Sequence, residues 1–344
     1  MVLGNMYDSL IIGGGPAGLS VALGLGRVNR TCAVFSHSIF RNDGVEASHS
    51  VLGLDDVAPQ QIREQGIYQI ERYGTTTFIE AEISQVAEVE AGGRRTFVAM
   101  DERGRKWAGK TLVMATGVKD VLPKVDGYAE NWPRNIYQCL FCDGWERRNM
   151  TKGILCVPSF NSVSVKLASM AHHLDAERLP TTVSRVTIFS NGDPNPNNHP
   201  ILEKALITCY ANRIKVDTRE VVKLVDAKPK EGVYVFLRND DGSEEAVHVG
   251  FLVHKPATTP NAAHLIEMLG LEMNTGTFGD YIKTESPFQS TSVQGIFSAG
   301  DAGVFLTQVS NAMLTGVGAA GGVTHYLNEY DDAMALEAYL NGTG

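Results

Sequence analysis

A strand, a glycine turn and a helix open this chain, and no other stretch restricts its fold as tightly. Leu10-Ile11-Ile12 leads into Gly13-Gly14-Gly15-Pro16-Ala17-Gly18, followed by a helix-like run over 19–27 and a second apolar strand over 31–35. This is GxGxxG in the setting that gives it meaning, the first turn of a βαβ unit in a dinucleotide-binding α/β fold. Gly13 makes the tight turn, Gly15 lets the backbone approach a pyrophosphate, and Gly18 allows close helix–strand contact. Pro16 and Ala17 begin the helix whose N-terminal N–H groups are offered to the anion. A purely structural glycine turn is the competing reading, and the position between strand and helix counts against it. The acid that usually closes the second strand and holds the adenosine ribose is replaced by Ser36, so Ser36 or backbone groups must serve instead.

At 344 residues, with 43% hydrophobic and 20% charged content, the chain has the make-up of an ordinary globular protein with room for two cores. A formal net charge of -9 argues against nonspecific binding to nucleic acid or to an anionic membrane, since both demand a basic face. Small-molecule chemistry remains. No basic, apolar and cleavage-site series precedes the first strand, and no apolar run is long enough to span a bilayer. Five cysteines are too few for a disulfide scaffold, which makes the cytoplasm the expected location.

Two of those cysteines stand in Tyr137-Gln138-Cys139-Leu140-Phe141-Cys142-Asp143-Gly144. Thiols separated by two residues can close a small ring, and a CxxC at a helix start has a lowered thiol pKa, so that one sulfur attacks and the other resolves. Half of a zinc site is the alternative, but it needs a second pair of Cys or His ligands. Cys32, Cys156 and Cys209 are scattered singly, and His172-His173 lie alone on a predicted helix. No metal is expected. Asp143, directly after the second Cys, is a candidate acid/base, with a helix N-cap carboxylate as its other reading.

Elsewhere the apolar spacing predicts a helix over 59–73, and short strands over 82–100 and 106–113 turn at Gly92-Gly93 and Arg103-Gly104. A second βαβ starts with a strand over 153–157 and a helix over 162–174, followed by a strand over 185–189. Strands over 233–237 and 246–254 lead back to the first half. The expected organisation is one discontinuous domain, residues 1–118 and 246–344, with a smaller domain inserted at 119–245. The Pro- and Asn-rich stretch 192–200 reads as a solvated loop.

Two further segments complete a family pattern: Thr111-Leu112-Val113-Met114-Ala115-Thr116-Gly117, a strand ending in ATG, and Gly295-Ile296-Phe297-Ser298-Ala299-Gly300-Asp301, a strand ending in GD. With the glycine turn and CxxCDG, they stand in the order found in low-molecular-weight thioredoxin reductases, which the chain resembles over almost its whole length. More narrowly, CLFCDG followed by Trp145-Glu146, together with Arg41-Asn42 and His49-Ser50-Val51-Leu52-Gly53, resembles the fungal gliotoxin-type dithiol oxidases. Those enzymes close disulfide bridges in epidithiodiketopiperazine-like metabolites.

The resemblance implies a two-dinucleotide-binding-domain flavoprotein, with an FAD domain and an inserted NADPH-type domain that carries the CxxC. FAD would be held by Gly13, Gly15, Pro16, Ala17, Gly18, Ser36, Arg41, Asn42, Ala115, Thr116, Gly117, Gly300, Asp301, Gln308 and Val309. The Asp301 carboxylate would accept hydrogen bonds from the ribityl hydroxyls, and the helix from Gln308-Val309 would point its positive end at the flavin pyrimidine edge. Gly316, Gly318, Gly321 and Gly322 on that helix read as tight packing. The resemblance also implies a homodimer.

The inserted domain departs from the reductase pattern. Its strand should be followed by a second glycine fingerprint for NADPH, yet the turn is Val157-Pro158-Ser159-Phe160-Asn161-Ser162, without glycine. The basic cluster for the NADP 2′-phosphate is likewise replaced by Ser190-Asn191-Gly192-Asp193-Pro194. With this motif degenerate, the flavin would be reduced by a dithiol and reoxidised by O2, giving H2O2. A substrate thiolate would attack Cys139, the second substrate thiol would displace it, and Cys142, by resemblance the flavin-proximal thiol, would pass on the electrons. His49, in a segment the resemblance places near the flavin, is the second candidate base, with a structural hydrogen bond as its alternative. Leu140, Phe141 and Trp145 suggest an apolar approach suited to a small hydrophobic dithiol, although Phe141 could instead pack under the flavin. Alternatives are an NADPH-dependent disulfide reductase, another FAD-dependent oxidation in secondary metabolism, and a non-catalytic flavin-binding protein.

Overall fold

The computed structural model describes residues 6–91, 93–175, 184–192, 200–228 and 231–342. The expected loop over 192–200 lies almost wholly outside these residues, as does Gly92 of the first predicted hairpin turn. The chain divides into two compact units: Met1–Asp43, Val57–Asp120 and Thr258–Gly344 form the first, and Gly44–Asp56 with Val121–Ala257 the second.

The first unit is built on a seven-stranded sheet. Thr76–Glu80, Cys32–Ser36, Tyr7–Ile12 and Lys106–Met114 run parallel in that order. The N-terminal half of the last strand pairs antiparallel with Arg94–Asp101, and its C-terminal half pairs parallel with Ile296–Ser298. Alternation puts successive side chains on opposite faces, so Ile11, Val34 and Val113 join one core while Leu10, Ile12, Ala33, Leu112 and Met114 join the other. On the first of these faces, helix Pro16–Arg27 meets the long helix Val309–Leu340 through Leu19, Val21, Ala319 and Val323. Ile83–Ala91 pairs with Arg94–Asp101, and helix Pro59–Glu71 replaces the predicted 59–73 with its end two residues earlier.

The second unit holds a five-stranded parallel sheet in the order Lys215–Asp217, Val186–Phe189, Lys152–Leu155, Phe251–Val253, Ile136–Tyr137. Helices Ser162–His173 and Pro200–Ala211 cover one face, with Val165, Ala168 and Leu206 in the core. An antiparallel sheet of Val221–Lys228, Gly232–Arg238 and Glu244–Val249 contributes Val221, Val233, Val235 and Leu237 to a second core. This unit runs past the expected boundary at 245. Glu244–Val249 is bonded along its length to Gly232–Arg238, and Phe251–Val253 enters the middle of the parallel sheet, so the chain cannot leave before these strands are complete. Residues 44–56, assigned by their place in the chain to the 1–118 segment, also belong to the second unit. Among the described residues no helix is long and apolar enough to cross a membrane.

The glycines of the long helix bear out tight packing at three positions. A Cβ on Gly316 would lie 2.5 Å from the Ala17 carbonyl oxygen, and one on Gly318 or Gly322 would lie 2.4 Å from the Pro287 or Phe288 carbonyl oxygen. Gly321 differs, because its nearest neighbour would be the Phe288 ring at 3.5 Å. Gly316→Ala is therefore expected to lower stability by about 1–3 kcal/mol through overpacking, whereas Gly321→Ala should raise it by up to about 1 kcal/mol through helix propensity. Chemical denaturation of the two variants measures the contrast.

Candidate active site

Cys139 and Cys142 form a disulfide, with their Cα atoms 5.3 Å apart. The helix that carries them, Leu140–Asp143, is a single turn followed by a 3-10 turn at Trp145–Arg147. The N–H groups of Cys142 and Asp143 donate to the Cys139 carbonyl, both at 3.1 Å. Four residues sum to only a small dipole, so the thiol acidification expected from a helix start has to come from neighbouring side chains. Asp143 ends this turn and Cys139 is its N-cap, which removes helix capping as a role for Asp143. Leu140 is also not part of an apolar approach: it is 4% exposed and belongs to the core, while Phe141 and Trp145 are 67% and 64% exposed. Residues one apart on a helix diverge by about 100°, so only one of the pair can face inward. The Arg148 guanidinium lies 3.7 Å from the Trp145 ring centre.

His49 is folded against this turn. The Ser50 hydroxyl donates to the Phe141 carbonyl, between the two cysteines, at 2.9 Å. The Ser50 N–H donates to Asp55 Oδ1 at 2.8 Å, and the Asp56 N–H to the Ser48 carbonyl at 3.0 Å, giving the segment its shape. His49 is mostly buried, with Asp55 Oδ1 3.9 Å from Nδ1 and Glu146 Oε1 3.7 Å from Nε2. Burial pushes the Asp143 carboxyl up to about 6; His49 opposes the rise, Glu146 adds to it, and Arg147 opposes it. A carboxyl so placed is ionised at neutral pH and within reach of reprotonation, as proton exchange with a thiol requires. The other three cysteines are buried, and burial pushes the Cys32 thiol up to about 11 and raises that of Cys209.

The predicted FAD residues lie in the first unit. A Cβ on Gly13 would fall 2.1 Å from the Ala115 carbonyl oxygen and one on Gly18 1.9 Å from the Gly13 carbonyl oxygen, so both are demanded by protein contacts. Gly15 has nothing within 4 Å of the same position, and no side chain caps the helix that starts at Pro16. An uncapped N-terminus behind an open glycine is a cradle for a pyrophosphate. Ser36 ends its strand against Gly14, whose Cβ would lie 2.7 Å from that of Ser36. Thr116 Oγ1 is buried without a hydrogen-bond partner beside the Gly13 turn, a polar atom that a bound ligand would satisfy. Gly117 has φ +67°, and Asn261 fixes the ATG turn through bonds to the Thr116 and Gly117 carbonyls, both at 3.0 Å. These residues fit the expected FAD.

The rest of that set is joined by an ion pair the sequence does not announce. Arg41 bonds Asp120 at 3.0 and 2.7 Å and Asp301 at 2.9 Å. Burial works against its charge, and the two carboxylates more than offset this and raise its pKa. Asp301 therefore shares its carboxylate with Arg41. Asn42 accepts from Arg63 at 3.3 Å. Gly300, at φ +71°, donates its N–H to Thr315 Oγ1 at 2.9 Å and abuts Ala17. Gln308 is the N-cap of the long helix and Val309 its first residue, without a side-chain cap bond.

The corresponding turn of the second unit is closed. Asn161 caps helix Ser162–His173, its Oδ1 accepting from Val163 at 2.9 Å and from Ser164 at 3.2 Å. Phe160 is buried in the core below, and the Val157 carbonyl lies 2.9 Å from His254 Nε2. The N–H groups that would meet a second pyrophosphate are thus already bonded. An Asn just before a helical run is an N-cap signal that could have been read from the sequence. Asp120, Glu146 and Asp55 carried none, since their partners are distant in the chain or set by loop shape.

The sequence model of the pyridine nucleotide-disulphide oxidoreductase family matches residues 7–316. A thioredoxin reductase of Leptosphaeria maculans, sirT, is 39% identical over 323 residues, covering 93% of this chain and 94% of its own. Another, tcpT of Claviceps purpurea, is 37% identical over 321 residues, 92% of each chain. Among solved structures, an oxidoreductase from Agrobacterium tumefaciens has a TM-score of 0.80 at 26% identity, covering 94% of this chain and 99% of its own. HlmI, at 23% identity and covering 100% and 99%, shares the fold with a TM-score of 0.83.

Gly15→Val should leave the denaturation midpoint of the flavin-free protein within about 0.5 kcal/mol of wild type while sharply reducing FAD retention on gel filtration; Gly18→Val should lose both. In thiol exchange, the rate should rise with pH through about 6 as Asp143 ionises. His49→Asn removes an influence that lowers this value, so the same limb should move to higher pH, and Asp143→Asn should abolish it.

Proposed function

This chain belongs to the pyridine nucleotide-disulphide oxidoreductases, and as an FAD-dependent thiol oxidoreductase of that family we propose that it works as a dithiol oxidase, closing an intramolecular disulfide in a small apolar metabolite. The observation that supports this direction is the Asn161 cap. Its carboxamide bonds two of the N–H groups that a pyridine nucleotide would need, while Phe160 is buried in the core below. FAD, when bound, accepts an electron pair from thiols and can deliver it to O2, with H2O2 as the product.

The chain's own part is sulfur exchange and proton transfer. A substrate thiol gives its proton to Asp143 and its sulfur attacks Cys139; the Cys139–Cys142 bond breaks and Cys142 leaves with the electron pair. The second substrate thiol then displaces Cys139, and the substrate departs as a disulfide. Two electrons have passed to the enzyme, whose two cysteines are now reduced, and the two substrate protons have passed to Asp143 in turn. Exposed Phe141 and Trp145 offer an apolar surface beside the sulfurs, in keeping with a compact substrate of the epidithiodiketopiperazine type. A homodimer in the cytoplasm completes the reading.

Oxygen uptake with a small dithiol tests it. Dithiothreitol should drive H2O2 formation without NADPH, and Cys139→Ser or Cys142→Ser should abolish it. Under anaerobic conditions NADPH should leave the flavin absorbance unchanged over many turnover times. Rapid bleaching by NADPH, with no dithiol-driven oxygen uptake, would establish the reductase instead.

A further inference from the structure

Asp143 is half-buried, and a partly desolvated carboxyl that takes a proton from a thiol must pass it on to water. Its own element offers little help. Around it stand His49 and Arg147, which favour its ionised form, and Glu146, which disfavours it. The adjacent Tyr137 hydroxyl is pushed up to about 12, chiefly by burial, and so stays protonated throughout the neutral range. His49 contributes an imidazole, whose two ring nitrogens let it take a proton on one side and give one up on the other. It is held between two carboxylates, Asp55 on the Nδ1 side and Glu146 on the Nε2 side, and both of these are well exposed.

We propose that Glu146 is a positioning residue, which with Asp55 brackets the His49 imidazole beside Asp143 and so makes His49 the exit for the proton taken from the substrate thiol. This rests on the thiol-exchange half of the function proposed above, and not on the electron acceptor. The geometry carries it in three ways. The 44–56 segment is fixed to the CxxC turn by the bond from Ser50 to the Phe141 carbonyl, so the imidazole and the disulfide are held by one frame. Glu146 lies on the 3-10 turn that directly follows the cysteine turn, so its carboxylate is tied to the same frame from the other side. Both ring nitrogens face a carboxylate, so a proton taken up by the ring from Asp143 has an acceptor close by on the solvent side. From there it leaves through the exposed Glu146 or Asp55.

In the first exchange a substrate S–H bond breaks, its proton passes to Asp143, an S–S bond forms to Cys139, and the electron pair of the broken Cys139–Cys142 bond stays on Cys142; in the second, the other substrate S–H bond breaks, the substrate's own S–S bond forms, and the pair of the broken bond to Cys139 stays on Cys139. Asp143 then passes the proton to His49. No further oxidant or reductant is needed, because the enzyme disulfide is itself the acceptor.

The test is anaerobic exchange between the oxidised holoenzyme and dithiothreitol, without NADPH, followed by rapid acid quench and thiol counting from pH 5 to 9. Glu146→Gln should slow exchange at pH 7 by about tenfold, within the range for loss of an outer partner of a functional histidine, and should move the acid limb above 6. Glu146→Asp should recover part of the rate. His49→Asn combined with Glu146→Gln should be no slower than His49→Asn alone, as expected for residues acting through one another. Asp55→Asn, a second variant at an exposed position, should show a smaller slowing of the same kind. A Glu146→Gln enzyme whose rate is unchanged, or whose limb moves below 6, would mean that Glu146 acts only as a neighbouring negative charge and would overturn the proposal, as would additive losses in the double variant. If dithiothreitol reduces the disulfide normally while no oxygen is consumed, the oxidase reading fails and this assignment stands.

Discussion

An α-helix leaves its first N–H groups without partners inside the helix, and the two parallel-sheet units of this chain answer that constraint in opposite ways. In the first unit the turn before Pro16 ends in Gly15, which has no side chain to cap the helix and no protein atom near where one would start. The N–H groups remain for an anion. In the second unit the same place holds Asn161, which bonds two of them itself. An N-cap Asn stabilises a helix by about 1 kcal/mol relative to Ala. A pyridine nucleotide would have to displace that bond. One site is left open to ligand at a cost in helix stability, and the other has taken the stability.

The cysteine turn shows a different balance. A single helical turn supplies little field, so the proton chemistry at Cys139 and Cys142 depends on what is packed around it. Burial of Asp143 is the main factor, raising its carboxyl to about 6. The sign for folding follows directly. Between the ordinary carboxyl value near 3.8 and about 6 the folded protein binds more protons at this residue than the unfolded chain, so its contribution to stability falls as pH rises through that window. At neutral pH Asp143 is ionised and its desolvation weakens the fold. A residue kept there for packing alone would be better apolar, whereas one that must exchange protons with thiols gains from a pKa near the working pH.

Much of this was legible in the sequence where local chemistry decides. The glycine turn, the ATG and GD turns and the CxxC each announce themselves through a local residue pattern, and the left-handed φ of Gly13, Gly117 and Gly300 and the contact of Gly18 with the Gly13 carbonyl show that these positions need glycine. The parts that were not legible depend on contacts distant in the chain. Leu140 and Phe141 look alike as letters, and only the packing of Leu140 under helix Ser162–His173 separates core from surface. The boundary at 245 moves for a related reason: the strand read over 246–254 leads back to the first unit until the pairing of Glu244–Val249 with Gly232–Arg238 is known.

The 44–56 segment carries that lesson furthest. By order in the chain it follows Arg41 and Asn42, whose side chains bond within the first unit, to Asp120 and Asp301 and to Arg63. Yet the segment folds with residues some ninety positions later, through the Ser50–Phe141 bond and the pairing of His49 with Glu146. A loop of 13 residues costs little more to close than a shorter one, since closure entropy grows only with the logarithm of length. A few well-placed hydrogen bonds are then enough to fix its position. Its composition, with Gly44, Ser48, Ser50, Gly53 and three acidic residues, offers no apolar periodicity from which that placement could be read. What it offers instead is one imidazole and the carboxylates to surround it, brought to the disulfide by backbone and hydroxyl bonds rather than by a hydrophobic face. A segment fixed in that way is specified by what it delivers to the site more than by what it buries.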